Sequence, residues 1–437
     1  MPLLATDREL SRHSYYAATA VRGDGHPPLQ GAVTCDVAVV GGGLAGLSAA
    51  LELAQRGFSV TLLEAQEVGF GASGRNGGQA IHGLACEQST IEAQLGIDEA
   101  RRVWDMSIEA LDLIRERIAA HAIDCDWQDG YLGVAVSARK GAELGAWAER
   151  MQRVYGYPMQ TIAPAEIGRW IASPRFHSGV HDPRSGHLHP LKYTLGLARA
   201  AQQAGVRIHE QSAVTALEQG AMPRLRTAQG EVQARHVLLA GNVYLQGLVT
   251  SLEQRIMPVG TYLACTERLA PELADSLIPS RSAVCDTNFV LDYFRTTRDD
   301  RMLYGGRVSY STVTPAHLRE SMRERMVGTF GQLASAKVEF AWGGFVDISM
   351  NRAPDFGRLP ALGGYAPNVY YLQGFSGHGL ALTGLAGKLV AEAIAGDASR
   401  IDVFARLRHR PFPGGKRLRT PALVLGMAWY RLRDSLA

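Results

Sequence analysis

The first strong hydrophobic pattern in the chain begins at residue 36. Residues 36–41 (DVAVVG) are apolar, rich in β-branched side chains and closed by a glycine, which predicts a buried strand. Residues 41–57 then repeat leucine and alanine at helical spacing, and Gly57 ends the predicted helix. Residues 58–64 (FSVTLLE) predict a second strand that ends in an acid. This order of strand, helix and strand predicts a βαβ unit.

Further apolar runs alternate with turns along the rest of the chain. Residues 204–219 predict two short strands, and residues 235–244 predict a longer apolar one. Three segments alternate like antiparallel strands, namely residues 255–267, 288–297 and 301–310. Residues 368–379 (NVYYLQGFSGHG) predict a strand that runs into a glycine loop, and residues 380–396 predict the helix that follows it. These patterns predict a mixed α and β protein.

Composition narrows the classes of protein to which the chain can belong. It has 437 residues, which is long enough for two connected domains. Its charged fraction of 20% and net charge of +3 are ordinary for a globular protein, and they argue against a nucleic-acid-binding protein, which usually has a dense basic patch. No run of eighteen apolar residues predicts a transmembrane helix, and the first twenty residues lack the apolar run of a signal peptide. We therefore expect a cytoplasmic protein.

Cysteine and histidine spacing gives no metal site. The five cysteines are scattered and form no C-x-x-C pair, which excludes a zinc site or redox dithiol of that type and suits a reducing compartment. They are Cys35, Cys86, Cys125, Cys265 and Cys285. His187 and His189 are spaced like two metal ligands, but no further ligand cluster accompanies them, and Pro190 after them predicts the start of a helix. We expect no bound metal.

The turn after the first predicted strand carries a nucleotide-binding motif. Gly41, Gly43 and Gly46 form G-x-G-x-x-G, which would allow a tight turn, a close approach of pyrophosphate and close packing of the helix on the strand. Free N–H groups at the helix N-terminus favour phosphate there. Glu64 ends the second strand, where an acid accepts hydrogen bonds from ribose hydroxyls. The complete unit predicts dinucleotide binding, and the acid argues against a 2′-phosphate.

A glycine-rich loop follows in place of another helix. Gly74, Gly77 and Gly78 would let a flat ligand such as an isoalloxazine ring lie against the backbone. Arg75, Asn76 and Gln79 would supply polar contacts to phosphate, ribitol or the edge of the ring. A flexible surface loop is the alternative interpretation of the same residues.

Several of these segments together resemble a known superfamily. The run from GGGLAG to GRNGGQ (41–79) resembles the FAD-dependent amine and amino-acid oxidases, which include D-amino-acid, glycine and sarcosine oxidases. Within them, the chain looks most like the gamma-glutamylputrescine oxidase group. The segments that carry this closer resemblance are SYYAATA (14–20), GRNGGQ (74–79), SGHLHPLKY (185–193), WGGFVDISMNRAPDFGRL (342–359), QGFSGHGLALTGLAGKLVAEAI (373–394) and RPFPGGKRLRTPALVLGMAWYRLRD (410–434).

The resemblance implies a fold and a division of the chain. We expect a doubly wound, Rossmann-like FAD-binding domain with an interleaved, mainly antiparallel β-sheet substrate domain, so that the protein is α/β locally and α+β overall. The FAD-binding domain would comprise residues 36–84, 186–254 and 345–400, and the substrate domain residues 85–185 and 255–344. Residues 1–35 would form an N-terminal arm and residues 401–437 a C-terminal helical tail.

The resemblance also implies which residues bind FAD. Val214 would pass beside adenine and Ala240-Gly241 beside the pyrophosphate, while the N-terminus of the helix after residue 379 would face the pyrimidine of the flavin and stabilise negative charge there. Relatives with covalently bound flavin use a histidine after the ribose acid or a late cysteine, and neither is present, so noncovalent FAD is expected. The predicted cofactor-binding residues are Gly41, Gly43, Leu44, Ala45, Gly46, Glu64, Ala65, Gly74, Arg75, Asn76, Gly77, Gly78, Gln79, Val214, Ala240, Gly241, Gly374, Phe375, Ser376, Gly377, His378 and Gly379.

By resemblance, the reaction would be oxidative deamination of gamma-glutamylputrescine or a related gamma-glutamyl polyamine. A hydride would pass to flavin N5, and O2 would reoxidise the flavin, giving aldehyde, ammonia and hydrogen peroxide. Tyr262 and Tyr293 could flank the amine, and His378 could contact the ring, take part in proton chemistry or only order its loop. Arg307 could hold a substrate carboxylate, with Arg352 as its rival. We take Tyr262, Arg307 and His378 as the catalytic candidates.

Other functions remain open at this stage. The same cofactor would serve a secondary-amine or amino-acid oxidase of the sarcosine type, or a dehydrogenase that passes electrons to quinone. A flavin-binding subunit that only docks to a partner is a further alternative. Residues 420–437 are apolar over much of their predicted helical surface, so they could pack on the body, on a second subunit or on a membrane surface. The sequence gives no oligomeric state.

Overall fold

Two β-sheets organise the chain in the computed structural model. The structure describes residues 13–245, 247–288, 290–309, 317–361 and 367–413. The predicted tail helix after residue 413 and the first twelve residues of the arm lie outside this part.

The strands, in chain order, are β1 Gly31–Val40, β2 Val60–Leu63, β3 Gln79–Ala80, β4 Gln128–Ala135, β5 Gln160–Ile162, β6 Ser178–His187, β7 Arg207–His209, β8 Ala216–Glu218, β9 Arg224–Arg226, β10 Gly230–Leu239, β11 Ile256–Thr266, β12 Ala283–Asp286, β13 Tyr293–Thr296, β14 Met302–Ser309, β15 Val338–Ser349, β16 Asp355–Arg358 and β17 Val369–Gln373. The α-helices are α1 Tyr15–Thr19, α2 Leu44–Gln55, α3 Gln88–Leu95, α4 Ile97–Ala120, α5 Ala138–Tyr155, α6 Pro190–Gln203, α7 Thr250–Glu253, α8 Pro271–Leu277, α9 Leu318–Thr329, α10 Gly379–Ile394 and α11 Ile401–Ala405.

The first sheet has the strand order β16-β17-β10-β1-β2-β7, and β8 and β9 extend it beside β10. Strands β17, β10, β1, β2 and β7 run parallel, as expected for strands joined by helical crossovers. Strand β1 begins at Gly31, earlier than the apolar run predicted, because its ladder with β10 starts at the pair of Gly31 and Gly230. The predicted Rossmann-like sheet is confirmed.

Helices α2 and α10 pack against each other on one face of this sheet. They approach closely at Gly387, where an added Cβ would lie 2.6 Å from the carbonyl oxygen of Ala45. Ser48 Oγ donates a hydrogen bond to the carbonyl oxygen of Gly384 at 2.5 Å. Small residues in the middle of α10 therefore allow it to pack closely against the first turns of α2.

The second sheet has the order β15-β11-β14-β13-β12-β4-β6-β3, with β5 beside β6. Its described pairs are antiparallel except for β4 with β12, which are parallel. This agrees with the mainly antiparallel sheet that was predicted. The segment 288–297 is a strand only from Tyr293, because the Asp286 carboxylate accepts the backbone N–H groups of Asn288 and Asp292 and holds the preceding residues in a loop.

The chain passes from one sheet to the other at two places that matter for the site. The glycine loop leads from β2 of the first sheet to β3 of the second, and the turn after Ser349 leads from β15 back to β16. Ends of strands from both sheets therefore meet at one junction. No helix in the described ranges is both long enough and apolar enough to cross a membrane.

Candidate functional site

A cavity of about 970 Å³ lies at the junction of the two sheets. One end is formed by the turns after β1, β2 and β10, and the other by residues of β11, β15 and the loop before β13. The N-termini of α2 and α10 both open into it, through Leu44 and Gly379 respectively. Two helix N-termini at one cavity favour a ligand with negative charge at two points.

The glycine motif forms the turn between β1 and α2. Gly41 has a φ of +112°, and a Cβ there would lie 2.7 Å from the carbonyl oxygen of Ala240. A Cβ on Gly46 would overlap the carbonyl oxygen of Gly41. Each glycine is therefore required by a backbone approach, as predicted for a turn that presents α2 to a phosphate.

Glu64 follows β2 and lines the same end of the cavity. Its carboxylate accepts hydrogen bonds from the backbone N–H of Gly42 at 2.7 Å and of Gln66 at 2.9 Å. Burial raises the pKa of Glu64, although both donors oppose this effect. The acid thus holds the glycine turn in place through these hydrogen bonds. Its oxygens can also accept further hydrogen bonds from a ligand, since each oxygen can accept more than one.

The glycine loop fits tightly between the sheets. Gly78 has a φ of +75°, and a Cβ there would overlap the carbonyl oxygen of Leu188. A Cβ on Gly77 would lie 2.7 Å from the ring of Tyr293. These glycines are therefore needed because neighbouring backbone and aromatic atoms come close, while Gly77 also faces the cavity.

The three polar residues of this loop bond to the protein itself. Arg75 donates to the carbonyl oxygen of Phe70 and lies with its guanidinium carbon 4.7 Å from the centre of the Phe70 ring. The Asn76 amide donates to the carbonyl oxygen of Ala72 and accepts from the N–H of Gly78 at 2.7 Å. The Gln79 amide donates to two carbonyl oxygens of the second sheet. Their predicted contacts with a cofactor stay a prediction.

The second glycine loop joins β17 to α10. Its backbone is left-handed at Gly374, Ser376 and Gly377, with φ values of +78°, +53° and +86°. The His378 imidazole lies 2.9 Å through Nε2 from the carbonyl oxygen of His82 and 3.2 Å from that of Ile81. Because carbonyl oxygens only accept, Nε2 carries the proton and donates. Burial lowers the pKa of His378 to about 4, so the ring is neutral at physiological pH.

These features together fit a flavin dinucleotide. The cavity has the volume of a large cofactor site, glycine backbone on its walls, an acid beside the first helix and a second helix N-terminus at its other end. Residues Gly41, Gly43, Glu64, Gly77 and Gly379 would hold such a cofactor.

Comparison with known proteins decides the family. Residues 36–393 match the model of the DAO family, described as FAD dependent oxidoreductase. The chain belongs to this family. It is 44% identical to gamma-glutamylputrescine oxidoreductase of Escherichia coli (strain K12), over 97% of this chain and 98% of that one. It is 39% identical to probable oxidoreductase OrdL of Haemophilus influenzae, over 96% and 97% of the two chains.

A solved structure has a similar fold. The crystal structure of glycine oxidase from Geobacillus kaustophilus covers 86% of this chain and all of its own, with a TM-score of 0.72 and 21% sequence identity. The predicted family, enzyme class and FAD cofactor are confirmed for this DAO-family oxidoreductase. We therefore take the cavity at the sheet junction as the candidate site for FAD and an adjoining substrate, and call it the FAD cavity.

Most of the predicted cofactor-binding residues line this cavity. Those that do are Gly41, Gly43, Leu44, Ala45, Glu64, Ala65, Asn76, Gly77, Gln79, Val214, Ala240, Gly241, Phe375, Ser376, Gly377, His378 and Gly379. The other five lie behind the lining residues, namely Gly46, Gly74, Arg75, Gly78 and Gly374. These five support the loops instead of facing the ligand space.

The two candidate tyrosines lie in different places. Met257, Val259 and Thr261 of β11 face the cavity, so the alternation of the strand turns Tyr262 to the opposite face, where it is buried beside Ala264. The structure therefore does not bring Tyr262 into the site. Tyr293 does line the cavity, and burial raises the pKa of its hydroxyl.

The two candidate arginines also differ. The backbone of Arg307 pairs with Tyr262 across β14 and β11, while its side chain lies outside the described part of the structure. Arg352 lines the cavity with a left-handed backbone, at a φ of +58°. Among the described residues, no carboxylate oxygen lies within 4.0 Å of the Arg352 guanidinium, whereas many other arginines are paired.

Sequence reasoning missed Asp347, a buried acid on the cavity wall in β15. Its carboxylate accepts from the backbone N–H of Gly374 and, at 3.1 Å, from that of Phe375. Burial raises the pKa of Asp347 to about 6 in spite of these donors. An acid in the middle of the apolar run WGGFVDIS was the available signal, because such a position is buried and needs polar partners.

The remaining candidates have structural partners. His187 Nε2 donates to the carbonyl oxygen of Arg281 at 2.8 Å, and His189 Nδ1 accepts from the N–H of Lys192 at 3.1 Å and caps α6. All five cysteines are free, and Cys285 alone among them lines the cavity, where its thiol donates to Gln79 Oε1 at 3.0 Å. Burial raises the pKa of Cys285 to about 12, so the group is a thiol and not a thiolate.

Proposed function

We propose that this protein oxidises the primary amine of a gamma-glutamylated polyamine, with gamma-glutamylputrescine as the first candidate. The identity of 44% to gamma-glutamylputrescine oxidoreductase, over nearly the full length of both chains, supports this substrate class. We extend the proposal to O2 as the electron acceptor and to noncovalent binding of FAD.

The charge of the cavity wall carries the proposal. Two described carboxylates line the cavity, Glu64 and Asp347, and both accept hydrogen bonds from backbone N–H groups. Arg352 has no described carboxylate partner. A free diamine has two cationic ends and would meet this arginine unfavourably. A glutamylated amine has a carboxylate, which a guanidinium binds through two parallel hydrogen bonds.

Apolar side chains would hold the reacting end of the substrate. Leu84, Val290, Leu291, Val346 and Ile348 line the cavity. An apolar wall lowers the pKa of an amine that is buried against it, since burial disfavours the charged form. The amine would therefore bind without its extra proton and with a lone pair on nitrogen. FAD, when bound, accepts the hydride that leaves the neighbouring carbon.

His378 would orient the polar groups that meet at this point. Its Nε2 proton is used by the carbonyl oxygens of Ile81 and His82, so Nδ1 is left as an acceptor without charge. Tyr293 keeps its proton and can donate or accept. The two side chains would position a bound amine by hydrogen bonds, and neither needs to act as a strong base.

The test is anaerobic bleaching of the bound flavin by a panel of amines. The panel holds gamma-glutamylputrescine, putrescine, sarcosine, glycine and several D-amino acids. Fast bleaching by the glutamylated amine alone supports the proposal. Fast bleaching by sarcosine or a D-amino acid would overturn the substrate and favour the sarcosine type of oxidase. Admission of air after bleaching tests the acceptor, because an oxidase releases hydrogen peroxide and a quinone-linked dehydrogenase does not.

A further inference from the structure

Arg295 is a buried cation directly behind the glycine loop. It lies in β13, and only 2% of its surface is exposed. Its guanidinium donates to the carbonyl oxygen of Gly77 at 2.9 Å and to that of Leu188 at 3.0 Å. The Nη2 nitrogen that donates to Leu188 also donates to the hydroxyl of Tyr16 at 3.2 Å. Arg295 thus fastens the loop to the end of β6.

The groups that face Arg295 are neutral. His187 Nδ1 lies 3.4 Å from its guanidinium, and this ring uses its own proton on Nε2 for the carbonyl oxygen of Arg281. Burial and the neighbouring guanidinium lower the pKa of His187 to about 3. Tyr16 and Cys265 are also buried close enough to feel the charge, and burial raises the pKa of each, to about 12 for Tyr16. No carboxylate of the described chain lies within 4.0 Å of Arg295.

Two other buried arginines, Arg117 and Arg301, have acids beside them. Arg117 lies 3.0 Å from a carboxylate oxygen of Glu52, and Arg301 lies 2.9 Å from one of Asp299. A buried charge without an opposite charge is costly, because neither water nor a counter-ion compensates for its lost solvation. Arg295 therefore differs from Arg117 and Arg301, because its hydrogen bonds go to neutral groups and no carboxylate of the described chain balances its charge.

The cation is one layer of backbone away from the FAD cavity. Its guanidinium binds the carbonyl oxygen of Gly77, which itself lines the cavity. A Cβ on Gly78 would lie 2.8 Å from an Arg295 nitrogen. No side chain of the loop can therefore intervene at these two glycines. In a buried region of low dielectric, the field of a charge extends further than in water.

We propose that Arg295 is a fixed positive charge that helps to stabilise negative charge on the flavin ring, acting through the glycine loop. The inference depends on the FAD site and not on the proposed substrate. If Arg295 only fixed the loop, its hydrogen bonds would be needed and its charge would not. If it acts on the flavin, its positive charge is needed. Variants that keep or remove the charge separate these two roles.

The experiment compares Arg295→Gln with Arg295→Lys in the purified holoenzyme. Both variants lose the planar guanidinium and its set of N–H donors, but only the lysine variant keeps a positive charge. Two properties of the bound flavin are measured, its two-electron reduction potential and the pH at which the N3–H of the oxidised ring ionises. Each reports the stability of negative charge on the ring without turnover.

We expect Arg295→Gln to make N3–H ionisation less favourable by about tenfold, which is a shift of about one pH unit upward, and to lower the reduction potential. Arg295→Lys should stay close to the parent enzyme in both. Equal shifts in the two variants, or no shift in Arg295→Gln with FAD bound, would overturn the proposal in favour of a clamp.

A second variant keeps the test decisive if Arg295→Gln does not retain FAD. His187→Glu leaves the guanidinium and its carbonyl acceptors in place but sets a carboxylate beside it. Neutralising the cation in this way should shift both flavin properties in the direction expected for Arg295→Gln. Unchanged flavin properties in a folded His187→Glu holoenzyme would contradict the proposal.

Discussion

The carboxylate of Asp347 accepts a hydrogen bond from the backbone N–H of Phe375 at 3.1 Å. Asp347 belongs to β15 of the second sheet, and Phe375 follows β17 of the first. The N–H of Ser376 also donates to the Asp347 carbonyl oxygen at 3.0 Å. One acid of the second sheet therefore holds the loop that presents α10 to the FAD cavity.

The first prediction concerns the pH dependence of this contact. The pKa of Asp347 is raised to about 6, so the folded protein binds its proton more tightly than the unfolded chain. The stability that this proton gives is complete below the unfolded pKa near 4 and is lost as the pH rises through 6. Asp347→Asn keeps an acceptor but has no such proton.

Urea unfolding of the parent and of Asp347→Asn at about pH 5 and pH 7.5 checks this. As the pH rises from about 5 to 7.5, the free energy of unfolding of the parent should fall by about 1 kcal/mol relative to that of the variant. A difference between them that does not change with pH would show that Asp347 is ionised throughout this range.

The second prediction tests the carboxylate anchor. Arg352→Gln should raise KM for gamma-glutamylputrescine by up to about tenfold, because a charge-assisted hydrogen bond is worth about 1.5 kcal/mol or more and Arg352, although it lines the cavity, is exposed. It should change the kinetics of a simple monoamine little. The matched control is Arg235→Gln, which removes a surface arginine whose side chain is 71% exposed. An equal effect of Arg352→Gln on both amines would assign this residue to the structure of the loop and return attention to Arg307.

The third prediction concerns the glycine motif. In Gly46→Ala the new Cβ would overlap the Gly41 carbonyl oxygen, so α2 must move away from β1. We expect a loss of about 3 kcal/mol or more in stability and loss of FAD from the purified protein. Gly145→Ala is the control, since its Cβ meets no atom within 4 Å and it lies within helix α5. That variant should keep FAD and gain up to about 1 kcal/mol.

The fourth prediction concerns acid stability. His189 is buried, and its pKa is lowered to about 3, so the unfolded chain binds a proton that the folded one does not. Its contribution is present above the unfolded pKa near 6.5 and is lost as the pH falls. As the pH falls from about 7.5 to 5 in urea unfolding experiments, the free energy of unfolding of the parent should fall by about 2 kcal/mol more than that of His189→Asn. Asn is the matched variant because it retains an acceptor for the α6 cap. His189→Ala should lose the cap at both pH values.

Sequence patterns predicted the fold well where local rules decide it. The turn at Gly41 and the end of α2 two residues before Gly57, which has a φ of +86°, follow from backbone geometry that only glycine adopts easily. The helix after Pro190 likewise follows from local signals, and the structure has it as α6.

Side-chain direction in the second sheet could not be predicted in the same way. Alternation in β11 told which residues share a face, but not which face the cavity occupies. The sequence pattern favoured Tyr262 as a site residue, whereas in the structure its neighbour Thr261 faces the cavity. The ladder with β14 also shifts register between Tyr262 and Leu263, which no local pattern indicates. The partners of Asp347 and Arg295 come from distant segments, so their roles depend on tertiary contacts.

The order of strands in the first sheet has a consequence for synthesis of the protein on the ribosome. Strand β1 is made early, yet its partner β10 is completed only at residue 239 and α10 begins only at residue 379. An emerging chain must therefore wait with one edge of β1 unpaired, and such edges are prone to aggregation. The second helix N-terminus of the FAD cavity arrives last. Capture of the cofactor therefore marks a chain whose folding is nearly complete.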